Sequence, residues 1–332
     1  MSILHLGHQI SDIVGLGDSF ISTDAVGFDA DLDVNCLKFR GTYNYEAPFS
    51  IGFAEPAGDL WFQCRFVAPD TSDVEFRLDT DVLTFRDSAG ATVAIARGVD
   101  NTPDMRSVAV GDTTVAASGG LIKGNASVHW LNVRVSVGAN ITMDLYDGAT
   151  LVSSATAANS GGKGKPTSIV FGNADMHNDS YPAANWYYAH LAVLDGRSTI
   201  GRRFARRVPS AAGTHNQWGG SLASLADDDI VTRMTSDAAG QRQSATLAGP
   251  TGPAGAPIAG VHVKAVAQAG TTGPGSLAGS LRLGGTDHDA SAVALSTERP
   301  EQAIFSWSQN PDTGAAWTDA DLPGEIGLVS AP

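Results

Sequence analysis

Six neighbouring residues carry side chains suited to holding a sugar: Asn173, Asp175, Tyr181, Trp186, Tyr187 and Tyr188. Saccharide hydroxyls exchange hydrogen bonds with amides and carboxylates, while the C–H faces of the rings stack on aromatics. Neighbouring residues on a strand point to opposite sides, so Trp186, Tyr187 and Tyr188 cannot all enter one core. Some of them are expected to be exposed and to form a carbohydrate-binding surface. The competing reading places them in a sandwich core or at a subunit contact. Asn173, Asp175, His177 and Asp179 crowd the same loop. Such oxygen-rich loops can hold calcium. No EF-hand spacing is present, however, so calcium is chemically admissible but not indicated, and no cofactor or metal is assigned.

Tests for catalysis come back empty. Glu75, Arg77, Asp79 and Asp81 alternate with Phe76, Leu78 and Val82, the pattern of a solvated sheet face. Gly17-Asp18-Ser19 resembles the first block of the GDSL hydrolases, but the family's later Gly-x-Asn-Asp and Asp-x-x-His blocks are missing. There is no Gly-x-Ser-x-Gly elbow. No pair of acids is singled out for glycoside hydrolysis. No His-x-x-x-His pair suggests zinc. No catalytic residue is assigned, and the chain is expected not to be an enzyme. Arg202, Arg203, Arg206 and Arg207 form the one basic cluster; it could hold an acidic sugar or partner, or be paired within a linker.

These residues have to be positioned by strands. SVHWLNVRVSVGANITMDLYDGATLVSSAT (127–156) reads as a three-stranded meander. Leu131, Val133, Val135 and Val137 alternate with polar residues, as do Ile141, Met143 and Leu145. Asp147-Gly148 suits a type I′ turn. Further strands are expected at 36–40, 60–67, 74–83, 93–96, 107–110, 168–171 and 186–195. In the second half they are expected at 230–235, 241–247, 258–266, 277–283, 293–295, 303–307 and 327–329. Asn159–Pro166 (NSGGKGKP) reads as a flexible loop, and Gly249–Pro257 as a stiff one. The fold class is therefore all-β, as two tandem β-sandwiches. Residues 1–30 read as an N-terminal attachment segment, 31–200 as the first sandwich, 201–213 as an Arg-rich linker and 214–332 as the second sandwich.

The chain has 332 residues and a formal net charge of −14. That acidity argues against nucleic acid or an anionic membrane as partner. No apolar run is long enough for membrane insertion. The N-terminus lacks the basic and apolar regions of a signal peptide, so synthesis in the cytoplasm is expected. Cys36 and Cys64 read as buried thiols rather than a bridge.

SVHWLNVRVSVGANITMDLYDGATLV and WYYAHLAVLDG look like the second half of a concanavalin A-like (LamG-type) jelly roll. GTHNQWGG, DIVTRMTSDAAGQRQSATL and the closing IFSWSQNPDTGAAWTDADLPGEIGLV resemble structural proteins of tailed phages. The run from Asn310 to Gly314, followed by Ala316-Trp317-Thr318, is the most recognisable piece. The resemblance is nearest to the head spike (head fibre) proteins of alphaproteobacterial gene transfer agents, although tail fibres and capsid decorations share these domains. It implies a virion-like particle surface and adhesion to host capsular polysaccharide without cleavage. The implied partners are that polysaccharide and a spike base or capsid protein. A homo-oligomer is the default for such fibres. The alternatives are a capsule-degrading glycoside hydrolase or lyase and a purely structural fibre.

Overall fold

The computed structural model describes residues 2–7, 28–29, 34–40, 49–67, 81–99, 102–120, 122, 127–172, 185–226, 231–249 and 255–332. The chain forms two units, Ser2–Arg203 and Phe204–Pro332. In the first, β1 (Ser2–Gly7), β2 (Phe28–Asp29), β3 (Val34–Asn35), β4 (Leu37–Arg40) and β5 (Phe49–Gly52) come in order. Then come β6 (Leu60–Val67), β7 (Asp81–Asp87), β8 (Thr92–Val99), β9 (Thr102–Val110) and β10 (Thr114–Ala116). The last five are β11 (Val128–Val137), β12 (Asn140–Asp147), β13 (Thr150–Ala158), β14 (Pro166–Phe171) and β15 (Asn185–Asp195).

Two antiparallel sheets make this unit a jelly-roll sandwich. One has the order β1-β15-β6-β11-β12-β13, with β4 also paired to β15; the other runs β10-β9-β8-β7-β14-β5. Alternate residues of both meet in one core, which includes Phe62, Leu131, Val133 and Met143 from the first sheet and Leu83, Phe85, Ala94 and Ile169 from the second. Phe62 meets the rings of Phe85 and Phe171 edge-on at 6.1 and 6.0 Å. The meander forms as the alternation requires, with Val137 opposite Ile141 and Leu131 opposite Asp147. Its second turn differs in type. A type I′ turn needs both central residues left-handed, and only Gly148 is (φ 57°).

Three other expectations change. Residues 2–7 of the expected attachment segment are a sheet strand, with Ser2 opposite Asp195 and Gly7 opposite Leu191. The Asn159–Pro166 loop is pinned, not loose. Lys163 Nζ donates to the carbonyls of Thr92 and Val110 at 2.9 and 2.8 Å, and Lys165 Nζ donates to those of Pro56 and Ala57. Asp112 accepts from the Ser160 hydroxyl at 2.6 Å and from the Gly161 amide at 3.0 Å. Of the strand expected at 74–83, residues 74–80 lie outside the described residues, and β7 runs on to Asp87.

The second unit contains β16 (Val208–Asn216), β17 (Arg242–Ala248), β18 (Val261–Ala267), β19 (Ser276–Leu283) and β20 (Thr286–Asp289). β21 (Val293–Ala294), β22 (Glu301–Trp307) and β23 (Glu325–Ala331) complete it. A sheet of order β16-β17-β23-β19-β20, with β21 on β19, packs against the two-stranded ribbon β18-β22. Leu277, Leu281, Phe305, Trp307 and Trp317 fill the space between. Residues 208–213 of the expected linker thus belong to an edge strand, where Pro209 is tolerated because its missing N–H costs no ladder bond. Among the described residues, the strand expected at 230–235 is only an isolated bridge from Thr235 to Gly219.

Candidate functional site

The sequence-predicted sugar residues do not assemble into a surface. Asn173, Asp175 and Tyr181 lie outside the described residues. Trp186 pairs with Phe39 through its backbone, and its side chain also lies outside the described residues. Tyr188 is wholly buried and packs on Phe66, Phe171 and Phe49. Tyr187 points to the opposite side, as strand geometry demands, yet is also buried, with Cys36, Val67 and Ala189. Both sides of β15 are covered here, so neither Tyr187 nor Tyr188 offers a face to a sugar. The loop proposed for calcium lies outside the described residues. Among the described residues, no group of three His, Cys, Asp or Glu side chains could hold a metal.

The arginine cluster is engaged within the chain. Arg202 Nε donates to the Ser198 carbonyl at 2.8 Å. Arg207 donates to the carbonyls of Pro323 and Leu247 at 2.8 and 3.2 Å. Arg203 lies over the Trp130 ring. The motif at Asn310 is likewise structural. Asn310 is buried and its Oδ1 accepts from the Asp312 amide at 2.9 Å, while Trp317 Nε1 donates to the Trp307 carbonyl.

A different set of residues converges on the side of the β6-β11-β12 sheet that faces away from the core. Register aligns Trp61 with Arg134, Arg134 with Asp144, and Asp144 with Ser154. One step along, it aligns Gln63 with Asn132 and Asn132 with Tyr146. Arg134 grips Asp59 Oδ2 with Nε at 2.8 Å and Nη2 at 2.7 Å, and its Nη1 reaches Asp144 Oδ2 at 3.3 Å. The other oxygen of Asp144 accepts from the Ser154 hydroxyl at 2.6 Å. The rings of Trp61 and Tyr146 lie 5.8 Å apart, tilted by 31°, and both are half-buried. Arg134 and Asp59 keep about a third of their side-chain surface open, at 37% and 34%.

The electrostatics favour holding over reacting. The hydrogen bond to Asp59 fixes the proton on Arg134 more firmly than usual. Burial pushes the Tyr146 phenol up, and the Asp144 charge adds to this. Tyr146 therefore keeps its proton at neutral pH and is a donor, not a base. The site presents two aromatic faces beside a polar ladder.

The second unit has its own polar cluster. His215 Nε2 and Arg282 Nη1 each meet Asp287 at 2.6 Å, and Arg242 forks onto Asp289 at 2.9 and 2.5 Å. Glu325 accepts from the Ser244 hydroxyl at 2.5 Å and the Thr214 amide at 2.6 Å. Burial alone would raise Asp287 and Glu325, but these donors outweigh it and hold both carboxyls below their ordinary values. The cavity among them is about 10 Å³, room for no more than one water. It is a filled network, not a site.

No family model matches the chain, and no curated protein matches it. Among solved structures, the cellulose-induced protein Cip1 is similar with TM-score 0.37 and 11% identity over 51% of this chain and 83% of that one. The botulinum neurotoxin serotype D binding domain gives 0.38 and 10% over 54% of this chain and 42% of that one. The catalytic domain of the glycoside hydrolase family 131 protein from Coprinopsis cinerea gives 0.36 and 12% over 59% of this chain and 84% of that one. Likenesses this low carry nothing on binding or activity.

Proposed function

We propose that the chain is a spike on the surface of a phage-derived particle, nearest in kind to the head spikes of gene transfer agents. It adheres to host capsular polysaccharide through the outer sheet face of its first unit and does not cleave it. The observation that carries this reading is the Trp61–Tyr146 pair beside the Asp59–Arg134–Asp144–Ser154 ladder. Sugar rings stack on such aromatics while their hydroxyls meet the flanking polar groups. Arg134 is shared between Asp59 and Asp144, so the ladder is net negative and suits neutral sugar hydroxyls.

Support for adhesion without cleavage comes from the same geometry. Both oxygens of Asp144 are engaged, and Tyr146 holds its proton. A hydrolase needs one protonated and one free carboxyl flanking the bond, and this ladder offers no such pair. The particle assignment draws on the resemblance around Asn310–Thr318, whose residues build the fold of the second unit. A base or capsid protein and copies of this chain are the remaining partners of the proposal.

Incubating the purified chain with host capsular polysaccharide, and following retention and sugar chain length in one sample, tests the reading. Retention at constant length is expected. Shortened chains would make the protein a depolymerase, and no retention would leave a purely structural fibre.

A further inference from the structure

Gln63 and Asn132 stand opposite each other on β6 and β11 and are 0% and 1% exposed. Gln63 Nε2 donates to the Arg202 carbonyl at 3.1 Å. Asn132 Nδ2 donates to the carbonyls of Trp130 and Gly148 at 3.1 and 2.8 Å. Carbonyls only accept, so these bonds fix which way each amide is turned; flipping either would set oxygen against oxygen. That leaves Gln63 Oε1 and Asn132 Oδ1 buried with no hydrogen-bond partner among the described residues. Burying an acceptor in this way is unfavourable and uncommon.

Beside them, Trp130 carries the Arg203 guanidinium 3.3 Å from its ring centre and meets the His190 ring edge-on at 4.9 Å. His190 sits at a bulge in β15, between Ala189 opposite Arg65 and Ala192 opposite Gln63. Its φ of 52° is left-handed, a strained conformation for a residue with a Cβ. Two buried acceptors, an aromatic platform and a strained residue therefore meet where Arg202 and Arg203 cross the sheet.

We infer that this covered patch is a second saccharide subsite, selective for a neutral hydroxylated ring, whose platform Arg203 occupies until sugar displaces it. The inference rests on the glycan reading of the adjoining Trp61–Tyr146 face. A guanidinium is flat and stacks on indole as the face of a pyranose does. Sugar hydroxyls would give Gln63 Oε1 and Asn132 Oδ1 the donors they lack. A uronate carboxylate would be repelled by the same two oxygens, so the ring held here is a neutral one.

The test titrates the full chain and its Arg203→Ala and Arg203→Gln variants with cellohexaose, maltohexaose and isomaltohexaose, after far-UV circular dichroism has shown the fold unchanged. Uncovering Trp130 is expected to tighten binding of at least one oligosaccharide about fivefold to tenfold, and Trp130→Leu in the Arg203→Ala background is expected to abolish that gain. Unchanged or weaker binding by both Arg203 variants overturns the subsite. If capsular polysaccharide is still retained in that case, only the subsite falls. If no oligosaccharide and no polysaccharide binds, the glycan reading falls with it.

Discussion

Trp61 and Tyr146 bring their ring centres to 5.8 Å although β11 runs between their strands. Side-by-side strands are about 4.8 Å apart, so two side chains separated by a whole strand touch only when both lean inward. They lean over Asn132 and Arg134, and the result is an aromatic pair flanked by charge.

Replacing either ring by Ala should weaken polysaccharide retention about tenfold. Both are half-buried on the outer face, so each change should cost only about 1–2 kcal/mol of stability. Affinity electrophoresis beside thermal melts separates the two effects.

Arg134→Ala should lower the melting temperature of the first unit by about 2–4 °C, because it strips the shared cation from Asp59 and Asp144. Arg134→Lys should recover only part of the loss. A point charge cannot fork onto Asp59 and reach Asp144 together. Scanning calorimetry of the three chains checks this.

Acid should weaken the second unit through its carboxylates. The Arg242 hydrogen bond holds Asp289 below its ordinary value of 3.8, and Asp287 and Glu325 are also lowered. A folded value below the unfolded one gives stability that is present above the unfolded value and lost as pH falls through it toward the folded one. Stability should therefore hold from neutral pH to about 5 and decline below. Asp287→Asn should flatten that decline in melts taken from pH 7 to 3.

Gly120→Ala should disrupt the first sandwich. Gly120 has φ 63°, and a methyl there would lie 1.6 Å from the Val152 carbonyl oxygen, which is backbone and cannot rotate aside. A loss of about 3 kcal/mol or more is expected in urea unfolding.

Cys36 and Cys64 are buried and form no disulfide, and burial pushes the Cys64 thiol up. Neither should react with a thiol reagent in the native protein, and both should react once it is unfolded.

The strands were largely legible because burial imposes period 2. Leu60, Phe62, Cys64 and Phe66, and Leu131, Val133 and Val135 in the meander, keep that spacing on the core side, although Gln63 and Asn132 on the outer side are buried as well. Val208–Asn216 was not, because Pro209, Gly213 and its small residues are what both a linker and an edge strand contain. The site was only half legible. Trp61, Arg134, Asp144 and Tyr146 all stand at outward positions of alternating runs, but nothing in the alternation says which outward residues meet. Cross-strand register decides that, setting Arg134 on β11 where its side chain bridges Asp59 and Asp144. Tyr187 and Tyr188 misled for a related reason: opposite faces of a strand are both buried when a second layer covers the outer one.

The most direct test compares the wild-type chain with the Trp61→Ala, Tyr146→Ala double variant on capsular polysaccharide, reading retention and sugar chain length together. The wild type is expected to retain polysaccharide of unchanged length, and the folded double variant to lose retention. Equal retention by both, or shortened sugar chains, would contradict the proposed function.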